Sequence, residues 1–238
     1  MERPAASKFS LRGAIADGID AGVANLRPGA VLWVIALAIV LGYYFVPAVA
    51  SALEHVAVLK QRHGFLFSGI STTLSSAVVP LLLGRAFGVL KLPDAWGWCV
   101  LIVFWAYRGM EVDAFYQLQA RVFGDTNAAH VVATKITVDQ LGYSLFWAVP
   151  TMVLAYRLRD RKAWPKWGGW RAWYVDEVLP KTIANWMVWV PALAAIYALP
   201  SALQLPMSNL VNCLWVLIFS FMTARVNDDP RAADQSRS

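Results

Sequence analysis

The feature that most constrains this chain is an uncharged apolar run over residues 30–52, AVLWVIALAIVLGYYFVPAVASA. A helix needs about 20 mainly apolar residues to cross the hydrocarbon core of a bilayer, because each residue adds ~1.5 Å. A second uncharged run follows at 64–83. Backbone polar groups find no water inside lipid, so these runs predict transmembrane helices rather than alternating barrel strands.

Four more apolar segments follow the first two, and composition agrees with a membrane protein. The chain is 58% hydrophobic and 15% charged, whereas a soluble domain carries roughly 25% charge. The fold class predicted is all-α, a polytopic transmembrane bundle of about six helices within residues 29–225. The predicted spans are 30–52, 64–83, 96–119, 136–156, 182–199 and 207–223. The last two are separated by PSALQLP, which predicts either a tight hairpin or a re-entrant pair.

Two interfacial amphipathic helices and a disordered tail at 226–238 complete the predicted organisation. Within the N-terminal segment 1–28, apolar residues recur every three or four positions, which indicates a helix lying on the cytoplasmic membrane surface. They are Leu11, Ile15, Ile19, Val23 and Leu26. Residues 163–181 are rich in aromatic side chains that suit the headgroup region, with an aromatic ligand cage as the alternative. They are Trp164, Trp167, Trp170, Trp173 and Tyr174.

The distribution of positive residues predicts that both termini are cytoplasmic. With six spans, only Lys60, Arg62, Arg121 and Lys135 lie on the opposite side, and Arg108 lies within a span. Every other Lys and Arg of the 21 falls on the cytoplasmic side, as the positive-inside rule requires. The net charge of +6 is therefore expected to interact with anionic lipid headgroups, and nucleic acid is not expected as a partner.

Charged residues inside the third and fourth predicted spans are the candidate functional site. Arg108 and Glu111 are three residues apart and are expected to pair on one helix face, which leaves Asp113 in need of another partner. Lys135 and Asp139 are four apart and are expected to pair too, beside Gln140. Intramembrane charges should face the bundle interior. They form either a polar path or cavity between helices, or an ion-pair network that fixes how the helices dock.

Catalysis and metal binding have little support in the sequence. The chain contains no nucleophile elbow, no HExxH and no phosphate-binding glycine loop. Small side chains gather on one helix face at Ser68, Thr72, Ser75 and Ser76, as is typical of helix packing. Ser68, Ser71, Ser75 and Ser76 could each serve as a nucleophile, but packing is the favoured interpretation because no histidine lies near enough to activate one. The remaining candidates for metal ligands are isolated from one another: Cys99, Cys213, His55, His63 and His130. We therefore predict a non-enzymatic protein without metal or cofactor, whose partners are the lipid bilayer and other membrane proteins or a second copy.

Three stretches in the second half carry a family resemblance. They are GMEVDAFYQLQARVFG at 109–124, KITVDQ at 135–140, and residues 185–220. The pattern resembles the Mpv-seventeen family, also called the twenty-two-kilodalton peroxisomal membrane protein family. The matching positions are Phe115-Tyr116 in place of Trp-Tyr, Lys135 with the pair Asp139-Gln140, and Trp186, Trp189, Pro200, Asn209, Trp215 and Ser220. The family pattern is not met at Ala195-Ile196, Gln204 and Val216, nor by GISTTL near Gly69.

The resemblance implies a small multi-spanning protein of an organelle or bacterial membrane, here the bacterial inner membrane. Family members are usually described with four spans, so the first span of this chain looks like an addition. Pore-like or solute-permeability roles proposed for the family imply a channel-like protein lined by Arg108, Glu111, Lys135, Asp139 and Gln140. The alternative is a non-catalytic structural or assembly subunit packed against another membrane complex.

Overall fold

The computed structural model describes residues 10–88, 90–165 and 169–227, without the side chains of residues 28 and 215–227. Every regular element in these ranges is helical, which confirms the all-α class. The α-helices are α1 Leu11–Ala24, α2 Leu26–Phe45, α3 Pro47–Thr73, α4 Val79–Ala86, α5 Ala95–Phe123, α6 Ala129–Thr137, α7 Val149–Arg159, α8 Trp170–Trp173, α9 Leu179–Tyr197 and α10 Ser201–Asn227. The predictions for residues 228–238 and Trp167, and for the side chains of Trp215 and Ser220, fall outside the described part.

The first apolar run forms two helices instead of the single one predicted at 30–52. Helix α2 ends at Phe45, and Val46 is extended at φ −122° and ψ 105°. The ring of Pro47 would clash with a helical residue before it, so Val46 leaves the helix. Helix α3 begins at Pro47. Proline is well tolerated there because backbone N–H groups in the first turn of a helix have no intrahelical acceptor. The run at 30–52 is therefore divided between α2 and α3.

Three π-helical segments each end two residues before a proline. Leu74–Val78 precedes Pro80, Val138–Ala148 precedes Pro150, and Tyr174–Val178 precedes Pro180. A proline lacks an N–H, and its ring collides with the carbonyl one α-turn earlier. The wider π-turn gives that carbonyl room. Carbonyls freed in this way accept side-chain donors, as the Leu145 carbonyl does from the Tyr174 hydroxyl at 2.7 Å.

Helix α3 bends at Gly64, whose backbone lies at φ 53° and ψ −132°. This region is open to glycine and strained for residues that carry a Cβ. Residues 65–86 therefore form a helical stretch with its own direction, made of the end of α3, the first π-segment and α4.

Replacing Gly64 with alanine should reduce the free energy of unfolding by about 1–3 kcal/mol, the cost of a strained backbone conformation. Nothing lies within 4 Å of the added Cβ, so the loss would come from the backbone alone. Gly142 also has nothing within 4 Å of an added Cβ, but its φ is not positive, so Gly142→Ala is the control. Thermal unfolding of the purified variants measures both, and equal melting temperatures would contradict the expectation.

Contacts between helices show their relative directions. Ser68 donates to Asp113 and Thr72 lies against Gly109, so residues 65–86 run antiparallel to α5. Arg108 donates to the Ala148 carbonyl while Trp96 donates to that of Leu158, so residues 129–159 also run antiparallel to α5.

The remaining long helices continue this alternation. Trp33 donates to the Val188 carbonyl, and Tyr44 to that of Ala198, so α2 and α9 are parallel. Asn209 contacts Ser71 and Asn212 contacts Ser76, so α10 runs parallel to residues 65–86. Tyr197 contacts Asp139 and Asn185 contacts Ser144, so α9 runs antiparallel to residues 129–159. The long stretches therefore alternate in direction along the sequence: 26–45, 65–86, 95–123, 129–159, 170–197 and 201–227.

The predicted N-terminal amphipathic helix is present as α1, and it packs through small residues. Ala14, Gly18 and Gly22 are buried against α9, where a Cβ on Gly22 would lie 2.1 Å from the sulfur of Met187. Such small residues let helix backbones approach closely. The apolar stripe predicted from the sequence points away from the bundle, with Leu11 56% and Val23 53% exposed.

The predicted aromatic segment is divided between core and surface. Trp164 and Trp170 are exposed, whereas Trp173 is buried against Val149 and Val153. The helix beginning at Trp170 continues through the third π-segment into α9. Trp173 is therefore a core residue, and the expected surface position holds for Trp164 and Trp170.

Asp94 caps the N-terminus of α5 at the end of the bundle that also carries the α7–α8 connection. Its carboxylate accepts from the Gly97 backbone N–H at 2.8 Å and pairs with Arg161 at 2.7 Å. The Gly97 hydrogen bond first, and then the positive charge of Arg161, lower the pKa of Asp94 below its usual value.

A lowered pKa stabilises the fold above the pKa of the unfolded state, and the gain disappears as pH falls through the folded value. Asn also caps helices but carries no charge. The wild-type protein should therefore be more stable than Asp94→Asn at neutral pH, with a difference that shrinks under acid. Chemical unfolding from pH 7 to pH 3 measures this difference, and a pH-independent gap would contradict the account.

By length and apolar composition, one helix among the described residues is able to span a membrane. It is the bent helix Pro47–Ala86. A second qualifies if Leu11–Ala24 and Gly29–Phe45, which meet at 61°, are counted together.

Candidate functional site

A cavity of about 160 Å³ lies between α5, α9, α10 and the stretches 65–86 and 129–159, and most of its wall is apolar. Both polar and aromatic side chains line it, and they include Ser76, Arg108, Tyr116, Asp139, Asn185 and Asn212. We call this space the central cavity. Three of the six residues predicted as a polar site line the central cavity, namely Arg108, Asp139 and Gln140.

Arg108 is held in the wall of the central cavity by four oxygen acceptors. One guanidinium nitrogen donates to the Tyr143 hydroxyl at 2.9 Å and to Glu111 at 3.4 Å, which confirms the pair expected from their spacing. The other donates to the Ala148 carbonyl at 3.1 Å and the Thr151 hydroxyl at 2.5 Å. The guanidinium is therefore positioned by groups on two helices, and its charge is offset by Glu111.

Asp139 is the second buried charge at the central cavity. Its two oxygens accept from the Gln140 amide at 2.8 Å and from the Tyr197 hydroxyl at 2.6 Å. The Tyr197 hydroxyl in turn accepts from the amide of Gln119 at 2.7 Å. The carboxylate thus ends a continuous chain of hydrogen bonds that joins α5, α9 and the second π-segment.

The predicted ion pair between Lys135 and Asp139 is not formed, and this corrects the sequence-based expectation. Lys135 is 1% exposed, its ammonium has no hydrogen-bond partner among the described residues, and it lies 5.8 Å from the centre of the Tyr197 ring. The helix widens into a π-helix from Val138, so residues four apart no longer stack as they do on an α-helix. Tyr197 occupies the space between them, with its hydroxyl on Asp139 and its ring face towards Lys135.

Asp113 finds its partner on another helix. Its carboxylate lies 2.6 Å from the ammonium of Lys60 and accepts from the hydroxyl of Ser68, also at 2.6 Å. Both charges are buried, with Lys60 6% and Asp113 0% exposed. Lys60 was not among the predicted site residues, because it precedes the predicted span 64–83. The available signal was the unpaired Asp113, but residue spacing along one helix says nothing about pairs between helices.

The pair of Lys60 and Asp113 lines a second cavity of about 380 Å³, which we call the end cavity. Gln61, Gln117 and Ser201 also line it. Ser201 donates to Asp125 in the α5–α6 connection, so this cavity lies towards the opposite end of the bundle from Asp94. Both cavities border α5, where Arg108 and Asp113 are five residues, or about 7 Å along the axis, apart.

Amides and hydroxyls hold the helices together around the central cavity. The Thr72 hydroxyl donates to Asn209 at 2.9 Å, and the amide of Asn212 donates to Ser76 at 2.6 Å. Asn185 donates to Ser144 at 3.3 Å. These residues join the stretch 65–86 to α10, and the second π-segment to α9. The spacing of the serines in 64–83 predicts packing, whereas no sequence pattern marks Asn185 or Asn212.

Several positions of the family resemblance lie around the same cavity. Phe115 stacks on Tyr143 at 4.4 Å, and Tyr116 meets the Tyr197 ring edge-on at 5.4 Å. Trp186 donates to the Gln140 carbonyl at 3.1 Å, and Trp189 lines the cavity. Pro200 belongs to the α9–α10 turn, where its carbonyl accepts from the Leu203 N–H.

No family model, curated protein or solved structure matches the chain. The relation to the Mpv-seventeen family therefore stays a prediction that rests on the residues quoted for it.

Proposed function

We propose that the chain is a multi-pass membrane protein whose six alternating stretches cross the bilayer. The observation that carries this proposal is the reversed distribution of polar and apolar side chains. Lys60, Arg108, Asp113 and Lys135 are buried, whereas large apolar residues are exposed along the outside, with Phe146 at 71%. A soluble protein rarely buries such charges or exposes such broad apolar surface, whereas a bundle in lipid turns any charges inward and its apolar side chains outward.

The alternating directions of the helices support an even number of crossings with both termini on one side. On this proposal the end of the bundle that carries Asp94 and Arg161 faces the cytoplasm of a bacterial cell. Among the described residues, Pro47–Ala86 is the one single helix that qualifies as a span by length and composition. Gly29–Phe45 is strongly apolar and qualifies only when it is counted together with Leu11–Ala24. Helices α5 and α9 carry polar residues towards the central cavity, such as Arg108 and Asn185, which lowers their average apolarity.

The function we propose is channel-like permeation of small solutes through the central cavity. The central cavity of about 160 Å³ and the end cavity of about 380 Å³ both border α5, and a permeation path would have to join them. Polar side chains in the membrane interior are costly and commonly mark such paths. The resemblance to the Mpv-seventeen family supports the same role.

Solute flux through the purified protein in liposomes tests the proposal. Asp139→Asn should reduce flux about tenfold, because hydrogen bonds to a charged group contribute ~1.5–3 kcal/mol and position Tyr197 and Gln140. Asp17→Asn makes the same chemical change on the exposed surface of α1 and should leave flux unchanged. Liposomes that remain impermeable with well-folded protein would reject the permeation role.

The alternative of a structural or assembly subunit has one specific observation in its favour. Arg108 and Asp113 are both offset by acidic or basic partners, as expected of elements that dock helices. This alternative predicts impermeable liposomes together with a stoichiometric protein partner that co-purifies in mild detergent. A monodisperse protein without a partner would count against it.

A further inference from the structure

We propose that the central cavity accepts small neutral solutes bearing hydroxyl or amide groups, of about six non-hydrogen atoms, and rejects ions. This inference rests on the proposed permeation role and names the solute class for it. Three observations carry it: the charge balance around the cavity, the chemistry of its uncharged wall, and its volume.

The charges around the central cavity offset one another. Arg108 pairs with Glu111, and the Asp139 carboxylate accepts two hydrogen bonds. The Lys135 ammonium lies on the ring face of Tyr197, whose hydroxyl donates to Asp139. The two positive and two negative groups therefore leave little net charge to attract an ion. An ion that enters must give up its hydration without a counter-charge, which costs far more than the desolvation of a neutral group.

The rest of the wall offers hydrogen bonds of both kinds. Ser76, Ser144, Asn185, Ser208 and Asn212 line the cavity. Hydroxyls and carboxamides each donate and accept, so they replace the water bonds of a polyol or an amide. Aromatic rings also border the cavity, and they suit the C–H faces of such molecules. Asn212 already donates to Ser76 and Asn185 to Ser144, so a hydroxyl or amide solute would bond to the acceptor oxygens that the two amides keep.

The volume limits the size of the solute. At about 160 Å³ the central cavity is close to the engineered cavity of ~150 Å³ that holds one benzene molecule. Glycerol and urea fit within that space. A disaccharide such as sucrose is too large.

Swelling of proteoliposomes under osmotic gradients of glycerol, urea or sucrose, beside potassium and chloride conductance in planar bilayers, tests the inference. Glycerol and urea should enter at least about tenfold faster than into protein-free liposomes, with sucrose at the protein-free rate. No ion conductance should appear. Potassium or chloride movement comparable to that of glycerol would overturn the inference while leaving permeation itself intact. Absence of flux for every solute would instead reject the proposed function.

One variant tests the wall directly. Asn212→Leu removes an amide from the cavity at similar size and should slow glycerol entry about fivefold, the factor of one neutral hydrogen bond. Asn127→Leu makes the same change in the exposed α5–α6 connection and should have no effect. Equal glycerol rates for Asn212→Leu and wild type, with both proteins folded, would overturn the assignment of this wall to solute binding.

Discussion

Gly109→Ala is expected to lower the free energy of unfolding by at least about 3 kcal/mol, the upper end of the usual cost of overpacking. An added Cβ would lie 2.3 Å from the Ser68 carbonyl oxygen and 2.5 Å from the Thr72 hydroxyl. The first of these contacts is backbone, so no side-chain rotation relieves it. The helix 65–86 must move away from α5, which also disturbs the hydrogen bond from Ser68 to Asp113. Denaturant unfolding in detergent measures the loss.

Gly142→Ala is the matched control for this effect. Gly142 lies in the second π-segment, and nothing stands within 4 Å of a Cβ added there. Its stability should stay at or slightly above that of the wild type, because alanine favours a helix more than glycine does. If Gly109→Ala proved as stable as Gly142→Ala, the close approach of the two helices would be wrong.

Removing one partner of the buried pair Lys60–Asp113 should cost about 3–5 kcal/mol, because the remaining charge stays buried without compensation. Both Lys60→Met and Asp113→Leu belong to this class. The double variant removes both charges at similar volume, and such replacements are often close to neutral. We therefore expect the double variant to recover most of the stability lost in either single variant.

Denaturant unfolding of the four proteins forms a double-mutant cycle for this pair. The exposed pair of Arg161 and Asp94 provides the comparison, and Arg161→Met should change stability little because solvent screens its charge. Additive losses in the double variant would show that Lys60 and Asp113 do not interact. Additive losses would also contradict the presence of this ion pair in the wall of the end cavity.

The helical class and the positions of the later helices followed from the sequence, because apolar runs of about 20 residues permit little besides helices. The break at Val46 was also within reach, since Pro47 restricts the residue before it. The π-segments that end before Pro80 and Pro150 were harder to predict. A proline inside a helix signals a distortion, but the sequence does not say whether the helix kinks or widens.

The candidate site was predicted in part, and the reason is geometric. Arg108 and Glu111 lie on one regular α-helix, so their spacing was sufficient to predict the pair. Lys135 and Asp139 have an equally good spacing, but the change to a π-helix and the insertion of Tyr197 separate them. Lys60 and Asp113 lie on different helices, and their contact depends on the bend at Gly64. Long-range pairs of this kind cannot be obtained from periodicity.

The most direct test of the central claim, a bundle that crosses the membrane repeatedly with a polar interior, is the sidedness of its connections. In a background with Cys99 and Cys213 replaced by serine, single cysteines at Lys91, Thr126 and Lys162 would be labelled by an impermeant maleimide on bacterial cells. All three positions are exposed. We expect Thr126→Cys to react on intact cells, and Lys91→Cys and Lys162→Cys to react only after permeabilisation. Reaction of Lys91→Cys and Thr126→Cys from the same side would contradict the alternating arrangement.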